Sequence, residues 1–124
     1  MAILTSRLEQ EVDLMHQRIC YALGDPKRVL ILYALSEGPR RVSELVDDLG
    51  LPQSTVSRHL RVLRERGLTD ADRQGTAVYY SLTDDRIIQA LDLMRAILSS
   101  QLAASAELAQ TLSDSTEDRK QEDA

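Results

Sequence analysis

Apolar residues recur at helical spacing in five stretches of this chain and at alternate positions in a sixth. Leu4, Leu8, Val12, Met15 and Ile19 fall three or four apart, which predicts a first helix over about residues 4–23. Gly24-Asp25-Pro26 breaks it. Asp25 suits an N-cap and Pro26 the first position of a second helix over about 26–36. That segment is apolar on nearly every side (Val29, Leu30, Ile31, Leu32, Ala34, Leu35), as expected of a helix central to the core. Arg28 on it is expected in solvent or on a phosphate. After the loop Glu37-Gly38-Pro39, a short helix over 41–49 is expected, with Ser43 as its cap and Leu45, Val46 and Leu49 facing inward. Gly50 ends it.

The most strongly patterned stretch is LPQSTVSRHLRVLRERG, residues 51–67. Val56, Leu60 and Leu63 repeat at i, i+4, i+7 and share one face. Ser54, Arg58, Arg61 and Glu65 fall opposite, with Thr55, Ser57 and Arg64 beside them. Pro52 suits the first turn of this helix and Gly67 the residue just past its end. The polar face carries side chains suited to the major groove. Gln and Arg can bond base edges in pairs, and Ser and Thr can bond bases or phosphates. Two short helices joined by the tight turn Leu49-Gly50-Leu51-Pro52 describe a helix-turn-helix. Two further runs follow, residues 68–73 and 76–82, separated by Gln74-Gly75. The second alternates, with Val78, Tyr80 and Leu82 on one face, so a hairpin is expected. The fold class is therefore mainly α with a small β-hairpin, a winged helix-turn-helix.

Three blocks, GDPKRVLILYAL (24–35), VSELVDDLGLPQSTVSRHLRVLRERGL (42–68) and the wing ending in VYYSL (78–82), make the chain similar to the ArsR/SmtB family of bacterial transcriptional repressors. The similarity covers roughly residues 19–98, and STVSRHLRVLRERGL is its most specific block. It implies a homodimeric repressor that binds a double-stranded DNA operator and is released by an inducer. It also implies that the N-terminal part of the recognition helix, about 53–66, enters the major groove. On this chain that means Gln53, Ser54, Thr55, Ser57 and Arg58, flanked by His59 and Arg61. His59 also borders the buried stripe, so it has a second expected role in helix packing. Arg40 and Arg41 precede the helix-turn-helix, where they could reach phosphates; such contacts position a protein without reading sequence. Arg73 and Gln74 lie near the wing tip. Asp70 and Asp72 on the same strand depart from what a DNA-facing wing prefers.

A long helix is expected over about 83–112. Ile87, Leu91, Met94 and Leu98 recur at spacings of 4, 3 and 4, and Leu102, Leu108 and Leu112 extend the apolar side. In the family the first and last helices build the dimer. The expected interface is therefore Leu8, Val12 and Met15 with Leu91, Met94, Leu98 and Leu102. Residues 1–112 read as one DNA-binding and dimerisation domain. Residues 113–124 are polar, acidic and without periodicity, and are expected to be a disordered tail.

Charge changes the picture by its distribution. The 124 residues carry a net charge of −5, which on its face disfavours DNA. Yet residues 26–75 hold nine basic side chains against seven acidic ones, while the acidic excess lies from residue 76 onward. A modest positive patch predicts few phosphate contacts and salt-sensitive binding. Acidic balance and Asp70/Asp72 motivate one alternative, a winged-helix protein-interaction module without operator binding. With no Trp or Phe, the core must be aliphatic.

Candidate chemistry is sparse. No nucleophile–base pair, phosphate loop or metal-ligand spacing is present, so an enzyme is not expected. Metal-sensing family members carry a Cys-x-Cys pair in the first helix of the helix-turn-helix, or Asp and His ligands on the last helix. Here 44–49 lacks Cys, and no His follows His59. A two-cysteine redox switch within one subunit fails because Cys20 stands alone. No cofactor is expected. One arrangement remains: His16 and Cys20 share a helix face. Pairs from two subunits could make a His₂Cys₂ metal site, or two Cys20 side chains a disulfide. The bland reading of Cys20 is a small buried hydrophobe. Met1-Ala-Ile-Leu-Thr runs straight into charged residues and no apolar run could span a bilayer, so no leader and no membrane are expected, and the compartment is read as the cytoplasm.

Overall fold

The computed structural model describes residues 5–122, with side chains through residue 116. Leu4 lies outside the described residues. Helix α1 (Ser6–Met15) is capped by Thr5, whose hydroxyl accepts the Leu8 N–H at 3.1 Å. It passes into a π-helical turn (His16–Cys20), closed by a bond from the Tyr21 N–H to the His16 carbonyl five residues back. A last short turn, α2 (Tyr21–Leu23), follows. The periodic pattern thus gives one run of helix, but with an extra residue wound into it at His16–Cys20. Such π-turns tend to mark functional positions.

Helix α3 (Pro26–Leu35) begins as its sequence requires, with Asp25 Oδ1 accepting the Lys27 N–H at 2.9 Å and Pro26 at the first position. That bond is the main reason the Asp25 carboxyl lies below its usual range. Ile31, Leu32 and Leu35 are buried, whereas Leu30 is exposed, so α3 is not covered on every side. Helix α4 (Val42–Leu49) starts one residue before Ser43; its cap is Arg41, whose N–H bonds Glu44 Oε1 at 3.2 Å. Glu44, held below its usual range chiefly by that N–H, reaches back from the third helical position to the cap residue itself, the reciprocal half of a capping box, and Ser43 lies inside the helix. Gly50 ends α4 in the left-handed region, φ +64°. Helix α5 (Gln53–Glu65) follows directly, with Pro52 just outside it as cap. Gly67, at φ +79°, reverses the chain into the hairpin.

Strands β1 (Thr69–Gln74) and β2 (Ala77–Leu82) pair antiparallel, from Thr69 opposite Leu82 to Gln74 opposite Ala77. The turn itself is Gly75-Thr76, one residue later than the pattern suggested. A single residue of the α3–α4 connection joins the sheet. The Arg40 N–H bonds the Tyr80 carbonyl at 2.9 Å, and the Tyr80 N–H returns to the Arg40 carbonyl at 2.8 Å.

Helix α6 (Arg86–Glu122) closes the chain. Asp84 anchors its start through a bidentate pair with Arg86, which lowers the Asp84 pKa to about 2. The helix runs ten residues past Leu112, into the stretch expected to be a tail. Two compact units divide at Ile88/Gln89. In the first, α3, α4 and α5 pack on one another around Ala22, Ile31, Leu32, Leu35, Leu45, Val56, Leu60 and Leu63. Each fully buried Leu or Ile contributes roughly 1.5–3 kcal/mol. This aliphatic core fixes the angle at which α5 is presented. The second unit is the remainder of α6, where Leu93, Met94, Ile97, Leu98, Leu102, Leu108 and Leu112 are exposed.

Candidate nucleic-acid interface

Helix α5 has two chemically opposite sides. Val56, Leu60 and Leu63 are buried. Gln53, Ser54, Ser57, Arg58, Arg61 and Arg64 are exposed, and Thr55 is half-buried beside them. From residue 53 to 64 the helix has no acidic side chain. Among the described residues, none of Arg58, Arg61, Arg64 and Arg73 lies in an ion pair. Their guanidinium groups keep their full donor capacity for bases or phosphates.

The basic residues before α4 differ. Arg41 pairs with Glu44 at 3.2 Å, and Arg40 lies 3.4 Å from Glu37 and 3.7 Å from Asp48. Both are partly neutralised by their own surroundings. A contact from Arg41 to a phosphate would have to compete with Glu44.

His59 does not belong to the reading face. It is 3% exposed, inside the packing of α5 against α3. Arg28 reaches it: NH1 donates to His59 Nδ1 at 3.4 Å. That bond leaves the ring proton on Nε2, which faces Asp25 Oδ2 at 3.8 Å and makes no hydrogen bond among the described residues. Burial holds the His59 pKa below its usual value, against the pull of Asp25. Arg28 is likewise neither free in solvent nor set to meet DNA. Its Nε donates to the Ala22 carbonyl at 2.7 Å and its NH2 to that of Tyr21 at 2.9 Å.

On the wing, strand register separates the charges. Arg73 shares its face with Thr69 and Ala71. Asp70, Asp72 and Gln74 share the other. Gln74 donates to Asp72 at 3.2 Å. Arg73 and Gln74 therefore project from opposite faces of the hairpin, and Gln74 is tied to a carboxylate.

Of the residues expected at a dimer seam, Leu8, Val12 and Met15 on α1 are exposed, as are Met94, Leu98 and Leu102 on α6. Leu91 alone is buried, 4% exposed, and so has little to offer a partner. His16 and Cys20 line one cavity with Tyr21, Arg28 and Arg66. Cys20 is exposed and not the buried hydrophobe its apolar neighbours suggested.

The sequence model described as "Bacterial regulatory protein, arsR family" matches residues 25–70, from the cap of α3 into β1. The regulator CmtR of Mycobacterium tuberculosis is 41% identical over 83 residues, 66% of this chain and 70% of that protein. The chain belongs to the ArsR family. Members of this family are DNA-binding transcriptional regulators built on the winged helix-turn-helix seen here. The regulator NmtR of the same organism is 46% identical over 71 residues, which are 57% of this chain and 59% of that relative's length. The solution structure of a homodimeric winged helix-turn-helix domain from Mycobacterium bovis superimposes with a TM-score of 0.68. It is 28% identical and covers 82% of this chain and 94% of its own. Nothing in these ArsR relatives supports an interaction module without operator binding.

Proposed function

We propose that the chain is a homodimeric, cytoplasmic repressor that lays the first two turns of α5 in the major groove of a double-stranded operator. The observation that carries this is the acid-free, ion-pair-free run of Gln53, Ser54, Thr55, Ser57, Arg58 and Arg61 opposite a buried apolar stripe. Arg73 supplies a wing contact, and Arg41 a phosphate contact of reduced strength. Dimerisation is supported by the exposed apolar residues of α1 and α6, which water would otherwise cover. On α6, Met94, Leu98, Leu108 and Leu112 keep one heptad register, and Gln101 and Ser105 take the core positions between them. Polar core positions of this kind fix register at some cost in stability.

The M. tuberculosis protein CMTR is described as a cadmium metal-sensor. Among the described residues here, no three His, Cys, Asp or Glu side chains come together to hold a metal ion. A metal, if one acts, would need His16 and Cys20 from both subunits. Without such a site, the signal would be an organic inducer in the dimer seam, or there would be none.

The test is a fluorescence anisotropy titration of the reduced protein against DNA upstream of its own gene, repeated with Zn²⁺ and with an oxidant. Saturable, salt-sensitive binding that neither addition weakens supports the repressor and points to an organic inducer or none. Loss of binding with either addition makes His16 and Cys20 the sensor. No binding in any condition overturns the operator reading.

A further inference from the structure

The π-turn opens onto a cavity of about 590 Å³, lined by His16, Cys20, Tyr21, Gly24, Arg28 and Arg66 among others. That is the size range of small-molecule sites. Its lining holds no carboxylate, although the chain carries 20 acidic residues. The guanidinium carbons of Arg28 and Arg66 lie 5.5 and 4.4 Å from the centroid of the same Tyr21 ring. The two like charges are therefore within about one Debye length, ~10 Å at 0.1 M salt, of each other. Neither is in an ion pair with any described residue.

Backbone carbonyls hold them in place: Ala22 and Tyr21 accept from Arg28, and Gln17 accepts from Arg66 at 3.0 Å. Asp25, whose carboxyl is lowered in part by Arg28, offsets that arginine from outside the lining, and a helix C-terminus supplies about half a negative charge, so Arg66 is the less compensated of the two. Arg66 uses one of its five N–H groups on the Gln17 carbonyl, and a planar fork of donors remains. The exposed Cys20 thiol and the His16 ring add further polar groups to the lining.

We propose that this cavity binds a small oxyanion, the carboxylate or phosphate group of an effector, between Arg28 and Arg66. The site lies at the far end of α5 from Gln53. At 1.5 Å per residue over 13 residues, Arg66 lies about 20 Å along the helix from Gln53. It acts on α5 through two connections already in place. Arg66 is the residue that caps the helix C-terminus, and Arg28 is bonded to His59 in its buried face. An anion that draws Arg28 toward itself competes with His59 for the same N–H. Binding itself is independent of the operator reading; only its effect on DNA affinity rests on that reading.

The experiment is a titration of the full-length protein without DNA, with sodium benzoate and with inorganic phosphate in separate arms, followed by calorimetry and by NMR of the arginine Nε–H signals. Saturable binding of one or both probes at one site per subunit, with the Arg28 and Arg66 signals moving together, is expected. The arm that binds more tightly tells a carboxylate effector from a phosphate one. Arg66→Gln should weaken binding about tenfold, and Arg66→Lys, which keeps the charge and loses the planar fork, should weaken it less. Arg7→Gln, an equal charge change on an exposed residue of α1, should leave it unchanged. No saturable binding of either probe overturns the proposal, including the case in which a carboxylate of the second subunit fills the cavity. Equal weakening by Arg7→Gln and Arg66→Gln also overturns it, because it reports anion screening of the whole surface. A protein that takes the anion and no operator leaves this site standing and removes the repressor reading alone.

Discussion

Arg28 on α3 donates to the Nδ1 of His59 on α5 across 3.4 Å, joining α3 to the buried back of the helix whose other side carries the exposed arginines. The ring lies beside one carboxylate, Asp25, and three cations, Arg28, Arg58 and Lys27, and it is neutral because burial outweighs Asp25. Its folded pKa is below the unfolded value of 6.5, so the folded state binds fewer protons near and below that pH. Stability is then full above pH 6.5 and falls as the pH is lowered through it. Thermal unfolding from pH 8 to 5 should show this loss, and His59→Gln should flatten the profile while lowering the plateau. An unchanged slope in the variant would assign the loss to other groups. Asp25 and Asp84, whose pKa values are lowered, add losses only at more acidic pH.

Arg58 is exposed on α5, outside any ion pair among the described residues. Arg58→Ala should weaken operator binding by about 1–3 kcal/mol and relax preference at one base position, with the dimer intact. Affinity equal to the parent protein would remove Arg58 from the reading face.

On the wing, Asp72 holds Gln74 on the face opposite Arg73. Asp72→Asn removes a negative charge near the DNA backbone and should raise affinity a few-fold at low salt, with the gain shrinking as salt rises. A loss of affinity would show that Asp72 orients Gln74 for a contact of its own.

Leu98 is half exposed on α6. Leu98→Glu should shift sedimentation from dimer to monomer and leave helical content near its original value. A dimer that persists unchanged would place the seam elsewhere.

Local chemistry explains which parts of this fold are legible in the sequence. The buried and exposed sides of α5 follow from spacing, and Asp25, Gly50 and Gly67 mark boundaries because few other residues suit those backbone positions. Signals that depend on distant partners do not show. Arg28 and His59 are 31 positions apart, so nothing in either one's neighbourhood tells that they meet. The alternative role of His59 was visible only because it borders the apolar stripe. Arg41 takes the cap position in place of Ser43 because Glu44 reaches back to its N–H, a choice between two frames two residues apart that composition leaves balanced. The π-turn at His16–Cys20 carries no residue that demands it. The length of α6 was underestimated because polar, charged residues carry no periodic stripe, although they are adequate helix formers.

The two hydrogen bonds between Arg40 and Tyr80 give the hairpin an anchor outside itself. The wing's aim is set by a segment that lies before α4 in the chain, on the other side of the helix-turn-helix. Adding or removing one residue between Ser36 and Arg41 would strain or break that bridge, while the register of β2 with β1 stays as it is. The connection looks like a surface loop, where changes in length are ordinarily tolerated. Here it works as a gauge block, and homologues or engineered variants that differ in its length should differ in how far their wings reach along DNA, even with α5 unchanged.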